Sequence, residues 1–487
     1  MYRRACKKSL KSFCTVAEKK LVAELETKSF DSIPGPKPLP LIGNLWRYFP
    51  IIGEYTSEKM HRTYAKMHEQ YGPLVREKVH SDRTLLHVFD PRDMQIVYSN
   101  EGPKPIRISH RALAKYREER PHLYSGPGLF PSNGDEWLRF RRLFQKTLLN
   151  PASADACSSG LEAITDDLVA KIPSFLDENH EVDLQPWLFK WALECIGMIA
   201  LNRRLGCLST EENKEVDALV KAAHDIHQAV FKTEFSPYMF DKHYKALEAA
   251  QDYLAGVVEK YVEETVLDLK CGKNTNSILA KLLEIADRKD VFTMVLDMFL
   301  AGIDTTAYTM AFCLYNLAMN QRVQDTLRAE LKDRLPSKSS RISESDAKLR
   351  YLQLVIKETL RVNPVAIGTG RILPTDVVLS GYNVPAGVMI FLQHQVACMQ
   401  DKYFKDAHLF CPERWEKTRV PLVSSPFGYG PRSCIGMRFA RMELYLATAK
   451  LVRNYIISYH HEEIDSITRL INVPDKPLRL RFKNVPE

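Results

Sequence analysis

None of the ten cysteines pairs with another as C-x-x-C, and none stands at the spacing of a metal finger. They fall at positions 6, 14, 157, 195, 207, 271, 313, 398, 411 and 434 of 487 residues, too scattered for the disulfide framework of a small secreted domain. A reducing compartment is expected, with most of these thiols acting as small buried hydrophobes. An uninterrupted apolar run of about 20 residues is also missing, so no transmembrane helix is predicted. There is no internal repeat and no aromatic-interleaved basic run, which leaves nucleic acid without support as a partner. The net charge of +8 is modest for this length and suits an anionic protein or membrane surface without demanding one.

Acids are scarce in one place. The opening MYRRACKKSLKSFCTVAEKK sets Arg3, Arg4, Lys7, Lys8, Lys11, Lys19 and Lys20 against Glu18 alone. Basic, hydroxylated and nearly acid-free, it has the composition of a mitochondrial transit peptide, a disordered basic tail being the alternative. Residues 1–32 are read as a leader and 33–487 as the folded body. Between them, Ile33-Pro34-Gly35-Pro36-Lys37-Pro38-Leu39-Pro40 cannot be helix or central strand and reads as a stiff extended link.

From Leu74 to Val97 the pattern is β-rich, with a turn near Ser81-Asp82. From about Asp135 helical periodicity dominates, with candidate helices at 135–149, 157–176, 184–202, 211–230, 241–268, 277–285, 290–320, 321–333, 344–362 and 437–454. Short strands return near 375–391 and at the C-terminus. The body reads as a single large domain, mainly α with a small β-rich part, against the two to four domains that length alone roughly suggests.

The strongest chemical signal is Phe427-Gly428-Tyr429-Gly430-Pro431-Arg432-Ser433-Cys434-Ile435-Gly436. Its glycines permit positive φ and let a flat ligand approach the backbone. A cysteine just before a helix N-terminus sits where N–H groups favour a thiolate, and Arg432 can face an anion at the rim. Elsewhere Glu358 and Arg361 share a helix face, as do Trp137 and Arg141. Ala301-Gly302-Ile303-Asp304-Thr305-Thr306 weakens the middle of the long apolar run VFTMVLDMFLAGIDTTAYTMAFCLYNLA.

The spacing F-G-x-G-x-R-x-C-x-G resembles the signature of the cytochrome P450 family at every fixed position. That resemblance implies the family's fold, with haem b between a long distal helix and the proximal cysteine loop, and Cys434 as the thiolate ligand of the iron. It implies Asp304 and Thr305 as a distal pair delivering protons. It further implies Trp137, Arg141, Arg371 and Arg432 at the haem propionates, with Phe427 in the haem-binding loop. Glu358, Arg361 and the Arg414 of Phe410-Cys411-Pro412-Glu413-Arg414-Trp415 would form a buried network holding that loop.

The leader and ALNRRLGCL at 200–208 resemble the mitochondrial class of the family. The implied partners are dioxygen and a small acidic 2Fe–2S ferredoxin with its NADPH-dependent reductase. Lys357 matches one ferredoxin-contacting lysine of the class, whereas Gln353 stands at the other, so Arg350, Arg438 or Arg441 would have to supply charge. Implied location is the matrix side of the inner membrane, peripherally attached through apolar residues near Leu45–Ile52 and 226–240. The stretches 110–137, 299–312 and NPVAIGTGRIL at 363–373 resemble insect ecdysteroid 22-hydroxylases. They imply hydroxylation of a sterol-derived ketotriol at carbon 22, with small apolar residues Val365 to Thr369 leaving room for the steroid. Alternatives are a sterol hydroxylase of the same pathway acting at position 2 or 20, a haem-thiolate isomerase, or a haem binder without turnover.

Overall fold

The computed structural model describes residues 27–486 apart from 81–82, 210–212, 236–239, 274–275, 336, 339, 342–348, 418–419 and 421. The leader up to residue 26, the turn at Ser81-Asp82, and Tyr238 and Met239 therefore lie outside the described residues.

The body is organised around the helix Arg288–Met319. Asp287 caps it, its side chain accepting from the Asp290 N–H at 3.0 Å. Judged by length and composition this helix could cross a membrane. Its burial shows a core helix instead: Gln185–Leu201, Lys214–Phe235, Arg350–Val362 and Met437–Asn454 pack around it. An almost continuously apolar helix is the expected sequence for an element enclosed on all sides.

The β-rich part is a four-stranded sheet in the order Leu74–His80, Arg83–Val88, Met389–Leu392, Thr369–Ile372. The middle pair is parallel and the outer pairs antiparallel. This register sets Arg371 opposite Ile390, on the strand that follows the small apolar segment. A second sheet pairs Glu181–Asp183, Arg479–Asn484 and Tyr455–Ser458, tying the C-terminus to the helical body.

All ten expected helices are present, although the one expected from 344 starts at Arg350 among the described residues. The β reading of 91–97 is corrected. Pro91–Ser99 is a helix, because Asp90 caps it through the Arg92 N–H at 2.8 Å and Pro91 takes its first position. Sequence reading also missed the helices Met60–Tyr71 and Arg111–Glu118. The proline-rich stretch is extended, but it is no free link. Ile33 is buried, Arg76 N–H donates to the Pro34 carbonyl at 2.9 Å, and a Cβ on Gly35 would come within 2.0 Å of the Arg76 oxygen. All eight described cysteines are free thiols, five of them buried, as expected.

Candidate active site

Cys434 lies between the turn Gly430–Arg432 and the helix Met437–Asn454. Its N–H donates to the Phe427 carbonyl at 2.8 Å and closes the loop, while the guanidinium of Arg441 lies 5.1 Å from the Phe427 ring. Gly430 has φ of 73°, a left-handed conformation that favours glycine, and it lies against the Glu101 carboxylate. The Cys434 side chain is exposed to an internal space although protein surrounds it. Burial raises its thiol pKa, and the Gly436 N–H, Arg141 and Arg441 offset this only in part. The Gly436 N–H at the start of the following helix acts in the direction expected of a helix terminus, favouring the thiolate.

Four guanidiniums gather beside the loop. Arg141 Nη1 donates to the Ser433 carbonyl at 2.8 Å. Arg432 lies 4.4 Å over the buried Trp137 ring and donates to the Pro105 and Ser132 carbonyls at 2.7 and 2.6 Å. Arg371 donates through Nε to Glu101 and through Nη1 to the Gly370 carbonyl at 2.8 Å. The fourth, Arg107, was not anticipated; nothing in its local sequence distinguishes it. Burial and the neighbouring like charges push Arg432 down to about 8 and Arg107 to about 10. Arg432 Nη1 and Arg107 Nε are buried without a partner. Against these arginines the acids facing the cluster among the described residues are Glu101 and Asp297, and Asp297 is already paired with Arg117, so the site suits an added anion.

On Arg288–Met319 every residue between Asp290 and Ala318 is buried except Met298, Ala301, Gly302 and Thr305. Their i, i+3, i+4, i+7 spacing places them on one face, which opens on an internal space. Thr305 Oγ1 donates back to the Ala301 carbonyl at 2.6 Å. Asp304, one residue earlier, lies off that stripe and is buried, its Oδ2 2.5 Å from His227 Nδ1 on Lys214–Phe235. Burial raises its carboxyl, but His227 and His224 overcome this and hold it well below the usual carboxylate range.

The expected network forms around Glu358. It accepts from Arg361 at 2.9 and 2.7 Å and from Arg414 at 2.9 Å. Arg361 and Arg414 in turn donate to the carbonyls of Cys398, Ala407, Asp406 and Leu409. The charge of one helix is thus used to pin the irregular chain that precedes the cysteine loop.

A family model for cytochrome P450 matches residues 33–482. The chain belongs to the cytochrome P450 family. It is 35% identical over 475 residues to cytochrome P450 302a1, mitochondrial, of Drosophila melanogaster, covering 93% of this chain and 96% of the relative. It is 33% identical over 482 residues to the probable cytochrome P450 301a1, mitochondrial, of the same fly, covering 94% and 87%. The 1,25-dihydroxyvitamin D(3) 24-hydroxylase, mitochondrial, of Mus musculus is 30% identical over 480 residues, covering 95% and 91%.

As a cytochrome P450 the chain is a monooxygenase that binds haem through a cysteine thiolate. The residues present fit the group: a flat ring bearing two carboxylates matches an enclosed thiol beside four under-neutralised guanidiniums. The region 110–137 is clamped onto the central helix of this cytochrome P450. Arg117 Nη2 bonds Asp297 Oδ1 at 2.7 Å with both side chains buried, and Asp297 Oδ2 accepts the Leu129 N–H at 2.8 Å. Pro364, Ala366, Gly368 and Thr369 line a narrow cleft shared with Gly428 of the cysteine loop.

Proposed function

We propose that this cytochrome P450 is a mitochondrial steroid hydroxylase whose target is carbon 22 of an ecdysteroid precursor, converting a ketotriol to 2-deoxyecdysone. The observation that carries the steroid reading is the accessible stripe Met298, Ala301, Gly302 and Thr305 on the central helix, apolar but for one hydroxyl. It is a wall with few polar groups, suited to a flat, bulky, mostly apolar molecule. The mitochondrial names of the relatives and the likeness of 110–137, 299–312 and 363–373 to insect 22-hydroxylases support the narrower choice.

In this reading Cys434 would ligate the iron, while Trp137, Arg141, Arg371 and Arg432, joined by Arg107, would hold the propionates. Arg371 sets the rim through Glu101, and the Phe427 carbonyl fixes the Cys434 backbone. Bound haem supplies reductive activation of dioxygen. The chain supplies the proton: Thr305 presents its hydroxyl on the open face and Asp304 restores the proton that Thr305 gives up. The Arg117–Asp297 clamp keeps the wall of the substrate space closed to water.

Residues 1–32 act as the transit peptide and 33–487 as the monooxygenase domain, working at the matrix side of the inner membrane. Electrons arrive from NADPH through a flavoprotein reductase and a 2Fe–2S ferredoxin. Lys357 and Arg441 are exposed near the cysteine loop and offer the basic docking face, with Lys357 lying 3.9 Å over Trp415. Arg350 contributes less, since it pairs with Glu416 at 3.3 Å. The exposed side chains Phe49, Ile51 and Ile52 give a peripheral lipid contact, whereas Tyr48 turns inward to Glu77 at 3.0 Å.

Incubation of the full chain with a reconstituted ferredoxin system and a panel of ecdysteroid precursors, followed by mass spectrometry, tests this. A 22-hydroxylated product from the ketotriol is expected. Oxidation at position 2 or 20 would replace the regiochemistry, and no sterol-dependent product from protein with a normal carbon monoxide spectrum would overturn the steroid reading.

A further inference from the structure

Two histidines on Lys214–Phe235, His224 and His227, converge on one carboxylate. His227 Nδ1 lies 2.5 Å, and His224 Nδ1 3.9 Å, from Asp304 Oδ2. Side-chain exposure falls from 38% at His224 to 10% at His227 and 2% at Asp304, so the three groups lead stepwise from the surface to the central helix. The second oxygen, Oδ1, is buried with no donor. Buried carboxylate oxygens without a partner are rare and call for a specific explanation. Thr305, the next residue, lies on the accessible stripe. Gln228 Nε2 is 3.0 Å from His224 Nε2 and orients its ring.

We infer that His224 and His227 form the proton inlet of this enzyme, His224 exchanging protons with solvent and passing them to Asp304, and His227 holding that carboxylate in place. The inference rests on the reading of Asp304 and Thr305 as the distal proton pair. Neither histidine lies on the accessible stripe, so both are positioning residues. Only a proton moves: it leaves the His224 imidazolium for Asp304, and water restores it.

The surroundings agree with this direction of flow. His224 faces Asp304, Asp225 and Arg469; its contact with Asp304 raises its pKa although burial opposes. His227 faces Asp304 and His110, and the latter is pushed down to about 3 by burial and Arg107, so it stays neutral. Tyr308 also faces Asp304, and burial and that charge raise its pKa, keeping it protonated. A raised His224 keeps its proton to higher pH than a free imidazole does.

Two measurements test the inlet in the full-length holoenzyme. In the diamagnetic ferrous carbonyl form, carbon-13 NMR of labelled histidine should show His224 titrating above the ordinary range, and falling back in Asp304→Asn. Product formed per NADPH should drop roughly threefold in His224→Gln at neutral pH, with hydrogen peroxide accounting for the loss, and the gap to wild type should close as the pH rises through the His224 titration. In His227→Gln it should drop at all pH values, with haem content and the carbon monoxide spectrum unchanged. If Thr305→Ala uncouples while both histidine variants keep wild-type coupling and pH profile, the inlet is refuted and the distal pair stands. If Thr305→Ala couples normally, the distal pair itself fails. Should His227→Gln lose haem, the titrations decide: an unshifted His224 in the wild type overturns the inlet.

Discussion

Trp415 and Glu358 are joined by a hydrogen bond: the indole Nε1 donates to Glu358 Oε2 at 2.8 Å. With Arg361, Arg414 and the Cys411 N–H at 3.0 Å, this surrounds the fully buried carboxylate with donors. Two of these side-chain donors, Arg414 and Trp415, come from the turn Pro412–Glu416 on the chain ahead of the cysteine loop.

Glu358→Ala leaves two guanidiniums buried without their acid, which costs about 3–5 kcal/mol. Trp415→Phe removes one donor and costs about 1–2 kcal/mol. Purified Glu358→Ala should therefore be largely haem-free, and Trp415→Phe should load haem but melt earlier. Full haem incorporation in Glu358→Ala, read by the ratio of Soret to protein absorbance, would refute the structural role.

Thr305→Ala removes the one hydroxyl on the accessible stripe of the central helix and its bond to the Ala301 carbonyl. Substrate binding should change little. NADPH consumption should continue with product falling by about tenfold or more and hydrogen peroxide rising to match. Unchanged product per NADPH would remove Thr305 from proton delivery.

Glu443 sits on Met437–Asn454, buried, with Thr306 Oγ1 donating at 3.5 Å. Burial pushes its carboxyl up to about 8, Thr306 pulling back only slightly. The folded chain keeps this proton until pH nears 8, while the unfolded chain releases it near the ordinary 4.5. Stability therefore falls as pH rises between those values, by on the order of 4 kcal/mol, and is flat above. Glu443→Gln should melt closer to wild type at pH 6 and clearly higher at pH 8. An equal difference at both pH values, by calorimetry, would show the group is not neutral when folded.

Ile51 and Ile52 are 95% and 64% exposed on a bend held by the Gly53 N–H, which donates to the Phe49 carbonyl at 2.8 Å. Ile51→Glu with Ile52→Glu should weaken flotation with vesicles of inner-membrane lipid composition severalfold, leaving the carbon monoxide spectrum intact. Unaltered flotation would assign lipid contact to another surface.

Much of the site was legible because its parts are local. Cys434 with its glycines, the Glu358–Arg361 pair at i, i+3 and the Trp137–Arg141 pair at i, i+4 are set by helix geometry and turn chemistry within a few residues. The ten helices followed from apolar periodicity in the same way. Where local signals conflicted the reading failed, as at 91–97, where Ile96 and Val97 suggested strand and the Asp90-Pro91 cap decided otherwise.

By itself the sequence determined the family pattern, the cysteine that can bind iron, and the helices that frame it, since each depends on contacts short in sequence. Only the tertiary structure decided which charges meet. Arg107 joins the guanidinium cluster, Arg371 meets Glu101, and Asp304 turns to His227, 77 residues away. A charged side chain must find its partner wherever the packing of helices and sheet places one, and that placement leaves no mark on the residues beside it.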